Sequence, residues 1–207
     1  MDLIKLQLAT VILASLSSAC MANDSILIPA EEPIAGISQV EWSMRWWQWA
    51  FSFEQVRSPV SDQTGQMCAS RQSGDVWFLA GTYGTHRTIR TCKVPFGKTL
   101  FFPLINYVAY RGDRSSESCM SLAKRAKDLT DNPTALILDV DGQRFSSLKA
   151  YRFATTCFSL VPGQPADAVA DGYFVALRPL SKGTHEINFG GVLPLMSQAV
   201  TYTLQIE

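Results

Sequence analysis

Residues 38–53 carry four of the chain's five tryptophans in a segment that is patterned as a helix. The segment begins with a capping box, in which Ser38 is followed three residues later by Glu41. The spacing predicts a helix over residues 39–53 with two apolar stripes on nearly opposite sides. One stripe is Val40, Met44, Trp47 and Phe51, and the other is Trp42, Trp46, Trp49 and Phe53. Such a helix is normally buried on both sides, so it is either enclosed by the protein or offers one face to a ligand or partner.

The remainder of the chain is dominated by strand patterns. Strands are predicted over residues 75–83, 87–94, 99–105, 134–140, 150–160, 173–180, 184–189 and 200–206. The first two resemble a hairpin, the third contains an irregularity at Pro103, and Asp141-Gly142 predicts a tight turn. Residues 117–129 predict a short amphipathic helix. The sequence therefore predicts a mainly β fold, a β-sandwich of antiparallel sheets, with a Trp-rich N-terminal helix and one short second helix.

The first 22 residues predict a signal peptide, with Lys5 before the apolar stretch 6–16 and small residues after it. Cleavage after Ala22 would release a soluble exported protein. Cleavage before Cys20 is the alternative, because residues 17–20 resemble a degenerate lipobox, and it would leave a lipid on Cys20. We therefore expect a periplasmic or secreted bacterial protein, or else an outer-membrane lipoprotein.

Residues 23–207 then predict a single β-rich domain, in which 23–110 supply the Trp helix and the hairpin and 134–207 supply the sandwich-like part. Four cysteines remain in this mature chain, and an even number in an oxidising compartment indicates two disulfides. Three pairings satisfy the count. We favour Cys68–Cys92 and Cys119–Cys157, since each joins neighbouring segments.

Charge and composition narrow the classes of partner. Lys+Arg and Asp+Glu are 18 each, so the formal net charge is zero and no nucleic-acid partner is expected. Membrane contact is expected only through a lipid on Cys20. Two histidines and the absence of short CxxC spacings predict no metal site and no cofactor. A small basic patch is predicted on the hairpin, from Arg87, Arg90, Lys93 and Lys98.

The Trp cluster is the candidate binding site. Trp and Tyr contribute much of the energy at binding surfaces. The candidate ligand-binding residues are Trp42, Trp46, Trp49, Trp77 and Asp62, and the expected partner is a glycan or another envelope protein. The alternative is that the same tryptophans form a bulky core between the helix and a sheet.

An enzymatic alternative rests on carboxylates. Asp62 follows the helix region, and with Glu41, Glu54 or Asp75 it would form the carboxylate pair of a periplasmic, glycosidase-like hydrolase. A Ser-His-Asp set from Ser181, His185 and Asp171 is a weaker candidate, because no GxSxG motif precedes any serine.

Several longer motifs carry a family resemblance. They are WWQWA (46–50), PVSDQTG (59–65), QSGDVWFLAGT (72–82), VPFGK (94–98), FFPLIN (101–106) and ADGYFVALRPLSKGTHEI (170–187). With these motifs the chain resembles an uncharacterised family of exported bacterial proteins. The resemblance implies secretion and a β-rich fold, and it transfers no catalytic residues. Many members of that family carry an acidic residue shortly after the asparagine of FFPxxN, whereas Tyr107, Val108 and Ala109 follow Asn106 here.

Overall fold

Residues 25–83, 87–112 and 116–207, which this computed structural model describes, form two β-sheets that pack face to face. The predicted signal peptide, residues 1–22, lies outside the described residues. The strands are β1 (Val76–Phe78), β2 (Thr88–Val94), β3 (Thr99–Tyr110), β4 (Ala135–Val140), β5 (Gln143–Arg144), β6 (Arg152–Ala154), β7 (Ala168–Leu177), β8 (Gly183–Leu193) and β9 (Met196–Ile206). The helices are α1 (Gln39–Phe51) and α2 (Cys119–Thr130), with 3₁₀ turns at Gln55–Arg57 and Leu148–Tyr151. The predicted mainly β fold with a Trp-rich helix and a short second helix is confirmed.

Both sheets are mixed. The strand orders are β1-β3-β7-β6 and β2-β9-β8-β4-β5. The β1–β3 and β2–β9 pairs are parallel, and the other pairs are antiparallel. Alternating apolar side chains from both sheets fill the space between them, as Val200, Tyr202, Leu204 and Ile206 of β9 do. The tight turn between β4 and β5 is also as predicted, with Asp141 and Gly142 at φ angles of 52° and 82°.

The hairpin predicted from residues 75–83 and 87–94 is wrong. β1 and β2 lie in different sheets, and each pairs in parallel with a strand that is distant in sequence. After β1 the chain crosses between the sheets through buried residues, and the carbonyls of Ala80 and Gly81 accept hydrogen bonds from the Arg90 guanidinium. The Arg90 side chain on β2 thus satisfies backbone carbonyls that a neighbouring strand would hydrogen-bond in a hairpin.

Helix α1 covers the outer face of the four-stranded sheet. The Ser38 hydroxyl accepts a hydrogen bond from the Glu41 N–H, as the capping box predicts. Trp46 is 1% exposed and packs edge-to-face on Phe174 of β7, with ring centroids 5.9 Å apart. The helix is therefore held by aromatic packing against the central strands of this sheet.

Helix α2 packs against the opposite face of that sheet, on β3 and β7. Its Leu122 and Ala126 contact Ala109 and Val169, which share the strand face of the residues between the sheets. The end of α2 is tied down by Arg152, which forms ion pairs with Asp131 and with the buried Asp171. Asp171 is committed to this network and is not a partner of His185.

Both predicted disulfides are confirmed. Cys68–Cys92 joins the loop before β1 to β2 with Cα atoms 5.9 Å apart, and Cys119–Cys157 joins α2 to the segment after β6 with Cα atoms 5.7 Å apart. Disulfides of this kind indicate an oxidising compartment. Within the described ranges, neither helix has the length and hydropathy needed to cross a membrane.

Candidate functional site

A pocket of about 340 Å³ lies between α1, β3 and the first residues of β9. Its wall combines aromatic, aliphatic and neutral polar side chains. It is lined by Trp46, Trp47, Ala50, Phe51, Phe53, Gln55, Val60, Gly81, Thr82, Tyr83, Ile105, Asn106, Tyr107, Val108, Tyr110, Met196, Ser197 and Gln198. None of these described lining residues carries a formal charge at neutral pH.

A β-bulge in β3 aims one polar side chain at this pocket. The register of β3 against β7 shifts between Pro103 and Ile105, so the predicted irregularity at Pro103 is confirmed. Ahead of the bulge the even-numbered residues face the other sheet, and beyond it Asn106 and Val108 are on the α1 side. One extra residue inverts the alternation of a strand. Without it, Asn106 would point into the apolar core between the sheets.

Gln198 holds the bulge in place. Its side-chain Nε2 donates to the carbonyls of Pro103 and Leu104 at 2.8 and 2.7 Å, and its Oε1 accepts from the Thr82 N–H. A Cβ at Gly81 would lie 2.5 Å from this Oε1, so the crossing segment approaches Gln198 as closely as glycine allows. Gln198 therefore fixes two walls of the pocket relative to each other.

Arg90 fixes a third wall from inside the protein. This side chain is 1% exposed, and its guanidinium donates to the carbonyls of Val60, Asp62, Ala80 and Gly81 and to the Tyr202 hydroxyl. Burial of Tyr202 raises the pKa of its phenol, although the nearby Arg90 cation opposes this. Arg90 is thus a structural cation and not part of the predicted surface patch.

Two tyrosines stand at the solvent side of the pocket. Tyr83 is 51% exposed and Tyr110 is 44% exposed, and the Tyr110 ring packs edge-to-face on Phe51 at 5.5 Å. Partial burial raises the pKa of Tyr83, and Tyr110 nearby adds to the effect. The rim is thus aromatic and hydroxyl-bearing, and the tryptophans lie deeper in the wall.

Three predicted binding residues use their indole N–H groups within the protein. The indoles of Trp42, Trp46 and Trp49 each donate a hydrogen bond of 3.0 Å to a backbone carbonyl, those of Ile34, Leu79 and Ser70 respectively. Trp46 and Trp49 are buried and Trp42 is partly buried. Of the three, Trp46 alone lines the pocket. Trp77, on β1, is buried in the core between the sheets.

Asp62 organises its own loop. Its Oδ1 accepts from the N–H and hydroxyl of Thr64 at 2.8 and 2.9 Å, and its Oδ2 accepts from the Met67 N–H at 2.8 Å. Burial opposes ionisation of this carboxyl, but these hydrogen bonds outweigh it and lower its pKa. Neither Asp62 nor any other described carboxylate lines the pocket.

Ser181 and His185 do come together, with Asp141 in the place of Asp171. His185 Nδ1 lies 2.7 Å from an Asp141 carboxylate oxygen, and Nε2 lies 3.3 Å from the Ser181 hydroxyl and 2.9 Å from the Ser181 carbonyl. Because the closer neighbour of Nε2 is a hydrogen-bond acceptor, the geometry is poor for a general base acting on the hydroxyl. The contact ties β8 to the turn between β4 and β5. Among the described residues no group of three metal-ligating side chains lies together.

The predicted binding residues leave out four residues that build the site: Trp47, which is identified only as part of the Trp cluster, and Arg90, Asn106 and Gln198. The burial of Arg90 had a usable sequence signal, since in an alternating strand Arg90 lies on the same face as Cys92 and Val94, which point inward. Asn106 had a weaker one, as the polar residue that ends an apolar run. Nothing local marks Gln198, because its partners lie about a hundred residues away on β3.

Comparison with protein-family models finds no match, and comparison with curated proteins finds none. Among solved structures, the chain is similar to the solution structure of amebosin, with a TM-score of 0.22 and 10% identity. The similarity covers 60% of this chain and 100% of amebosin. A likeness at this level carries no argument about fold or function.

Proposed function

We propose that this chain is an exported bacterial envelope protein that binds a neutral glycan in the pocket beside α1. The observation that carries the proposal is the uncharged, ring-rich wall of that pocket. Aromatic faces with a few neutral polar groups suit the C–H faces and hydroxyls of a sugar. The volume is at the lower end of the range for small-ligand sites, about 300–1,000 Å³, which favours a ring-sized group over a flat protein surface.

Export to the periplasm or the medium is part of the proposal. It is supported by the two disulfides and by the predicted signal peptide. The intact mass of the mature chain separates the two processing routes: an N-terminus at Asn23 supports soluble export, whereas an acylated Cys20 supports the lipoprotein.

Calorimetric titration of the mature chain with neutral di- and trisaccharides of glucose, galactose, mannose and N-acetylglucosamine tests the binding. Tyr83→Ala should weaken the affinity for the best of these sugars about tenfold, because a rim ring that stacks on the sugar is lost. Phe96→Ala is the matched control, since Phe96 is 55% exposed and lies outside the pocket lining.

Saturable binding that Tyr83→Ala weakens and Phe96→Ala leaves unchanged supports the proposal. No saturable binding by any of the sugars would overturn it, and an envelope protein would then be the partner class to pursue. The alternative of a hydrolase that uses Asp62 stays a prediction that no feature of the site favours, since both carboxylate oxygens already accept hydrogen bonds within the loop.

A further inference from the structure

Two buried N–H donors belong to residues of the pocket wall and have no acceptor within the described part of the chain. They are the indole Nε1 of Trp47 and the side-chain Nδ2 of Asn106. The other indoles of α1 all donate to backbone carbonyls, so Trp47 is the exception on its helix. A buried donor without an acceptor costs free energy, and in a native protein each such group calls for an explanation. For a donor in a pocket wall, the explanation that we pursue is a bound acceptor.

The kind of unsatisfied group narrows the chemistry of that partner. Both groups are donors, so the partner needs an acceptor. A carboxylate would bring an uncompensated charge into a pocket whose described wall has no cation. A sugar hydroxyl would bring a donor of its own that also needs an acceptor. An acyl carbonyl accepts without donating, stays neutral and has two lone pairs for two donors.

We infer that the pocket recognises an N-acylated sugar, whose acyl carbonyl accepts hydrogen bonds from Trp47 and Asn106. This inference rests on the proposed glycan-binding function and names the sugar class. The acyl methyl group finds apolar contacts in the same wall, from Phe51 and Val108. The Asn106 carboxamide also carries an oxygen that suits the N–H of an acyl amide.

The test compares two neutral disaccharides that differ in the substituent at carbon 2. Calorimetry on the mature chain measures the affinity for N,N′-diacetylchitobiose, which carries acetamido groups, and for cellobiose, which carries hydroxyls. We expect the acetylated sugar to bind at least about tenfold more tightly, since it satisfies two buried donors.

Three variants locate that preference. Trp47→Phe removes the indole N–H and keeps an aromatic ring, and Asn106→Leu removes the amide donor in a side chain of similar shape. Each should bring the two affinities to within about threefold, because a donor that discriminates between the sugars is lost. Trp77→Phe is the matched control, because Trp77 also has a buried indole Nε1 without an acceptor in the described chain, but it lies between the sheets. It should keep the full preference.

The outcomes separate this inference from the proposed function. Equal affinity for the two disaccharides would overturn the acyl preference and leave glycan binding standing. A preference that survives in both Trp47→Phe and Asn106→Leu would overturn the assigned donors. Failure of every neutral sugar to bind would overturn the proposed function and this inference together.

Discussion

Arg90 is a buried cation whose partners are four backbone carbonyls and one phenol. Guanidinium is more weakly hydrated than ammonium and presents five donors in a fixed plane, so one side chain can serve several carbonyls at a tolerable desolvation cost. The segments that it joins, near Val60 and Gly81, both line the pocket. The residue therefore links the folded core to the shape of the site.

Replacing Arg90 with methionine should lower the free energy of unfolding by about 3 kcal/mol or more, because several buried carbonyls lose their donor. Urea denaturation monitored by tryptophan fluorescence measures the change. Arg90→Lys should also destabilise, since an ammonium cannot span the same set of carbonyls.

Arg87→Met is the control for this prediction. Arg87 is an exposed residue directly before β2, and its side chain hydrogen-bonds to Thr201 and Asn188. Its loss should cost about 1 kcal/mol or less, as is usual for surface contacts. Equal losses for the two arginine variants would contradict the role given to Arg90.

At the scale of single elements, the bulge in β3 shows what local patterns reveal and what they leave out. Pro103 predicts an irregular strand, because proline removes a ladder donor. The same pattern does not predict that the inward and outward alternation of side chains inverts there. The inversion depends on Gln198 of β9, which donates hydrogen bonds to the carbonyls of the bulge. The strand was therefore predictable, and the direction of Asn106 was not.

Gln198→Met should destabilise the protein by about 3 kcal/mol and weaken sugar binding. The variant keeps a side chain of similar length but leaves the carbonyls of Pro103 and Leu104 and the Thr82 N–H without their Gln198 partner. Gln205→Met on the exposed face of β9 is the matched control and should change neither quantity. A stable variant with unchanged affinity would show that the bulge holds without Gln198.

The two disulfides should have separable effects. Each should contribute about 3–4 kcal/mol by constraining the unfolded chain. Cys68–Cys92 tethers the loop that carries Val60, so its double alanine variant should lose both stability and sugar affinity. The double variant of Cys119 and Cys157 should lose stability and lose less affinity, because α2 lies on the other face of the sheet, where its cluster shares Tyr107 with the pocket lining.

Denaturation and calorimetric titration of the two double variants side by side check this contrast. Hydrogen exchange adds a local measurement: without Cys119–Cys157, amide protection should fall in α2 before it falls in β3 and β7. Loss of affinity in both double variants to the same degree would contradict the separate placement of the pocket and α2.

For the whole molecule, most strands could be located from the sequence, whereas the pairing of strands could be predicted only in part. The predicted strand over residues 150–160 is wrong in extent, since β6 covers only Arg152–Ala154 of it. The β4–β5 hairpin is encoded by its Asp-Gly turn, so it was predictable. The pairing of β2 with β9 joins residues 88–94 to 200–206, and no periodicity within either segment specifies a partner that far away. Residues 134–207, the predicted sandwich-like part, contribute strands to both sheets. Strands from earlier in the chain complete each sheet: β1 and β3 in one, and β2 in the other.

The pocket depends on this long-range pairing. Its walls come from α1, the crossing segment after β1, β3 and β9, which are separated in sequence and meet only once both sheets have formed. The tryptophan-rich helix lies beside the pocket, since Trp46 and Trp47 both line it. The helical spacing does not show that Trp47 is the indole without an acceptor, because the acceptors of the other indoles are backbone carbonyls outside α1.

Alkaline pH should weaken the whole fold through its tyrosines. Burial is the main cause that raises the pKa values of Tyr83, Tyr151, Tyr173 and Tyr202 above the ordinary 10.0. The unfolded chain releases these phenolic protons near pH 10 while the folded chain retains them, so unfolding gains a driving force as the pH rises. The free energy of unfolding should therefore be flat near pH 9 and fall above pH 10 in a series of urea titrations.

Tyr202→Phe identifies the contribution of the most deeply buried phenol to this slope. The variant should be less stable at neutral pH because Arg90 loses a hydrogen-bond acceptor, so the slope and not the absolute stability is the relevant quantity. Removing a titrating group whose folded pKa is raised must make the decline above pH 10 shallower. Parallel declines for the two proteins would mean that Tyr202 ionises as readily in the folded chain as in the unfolded one, and would contradict the raised pKa that its burial between the sheets implies.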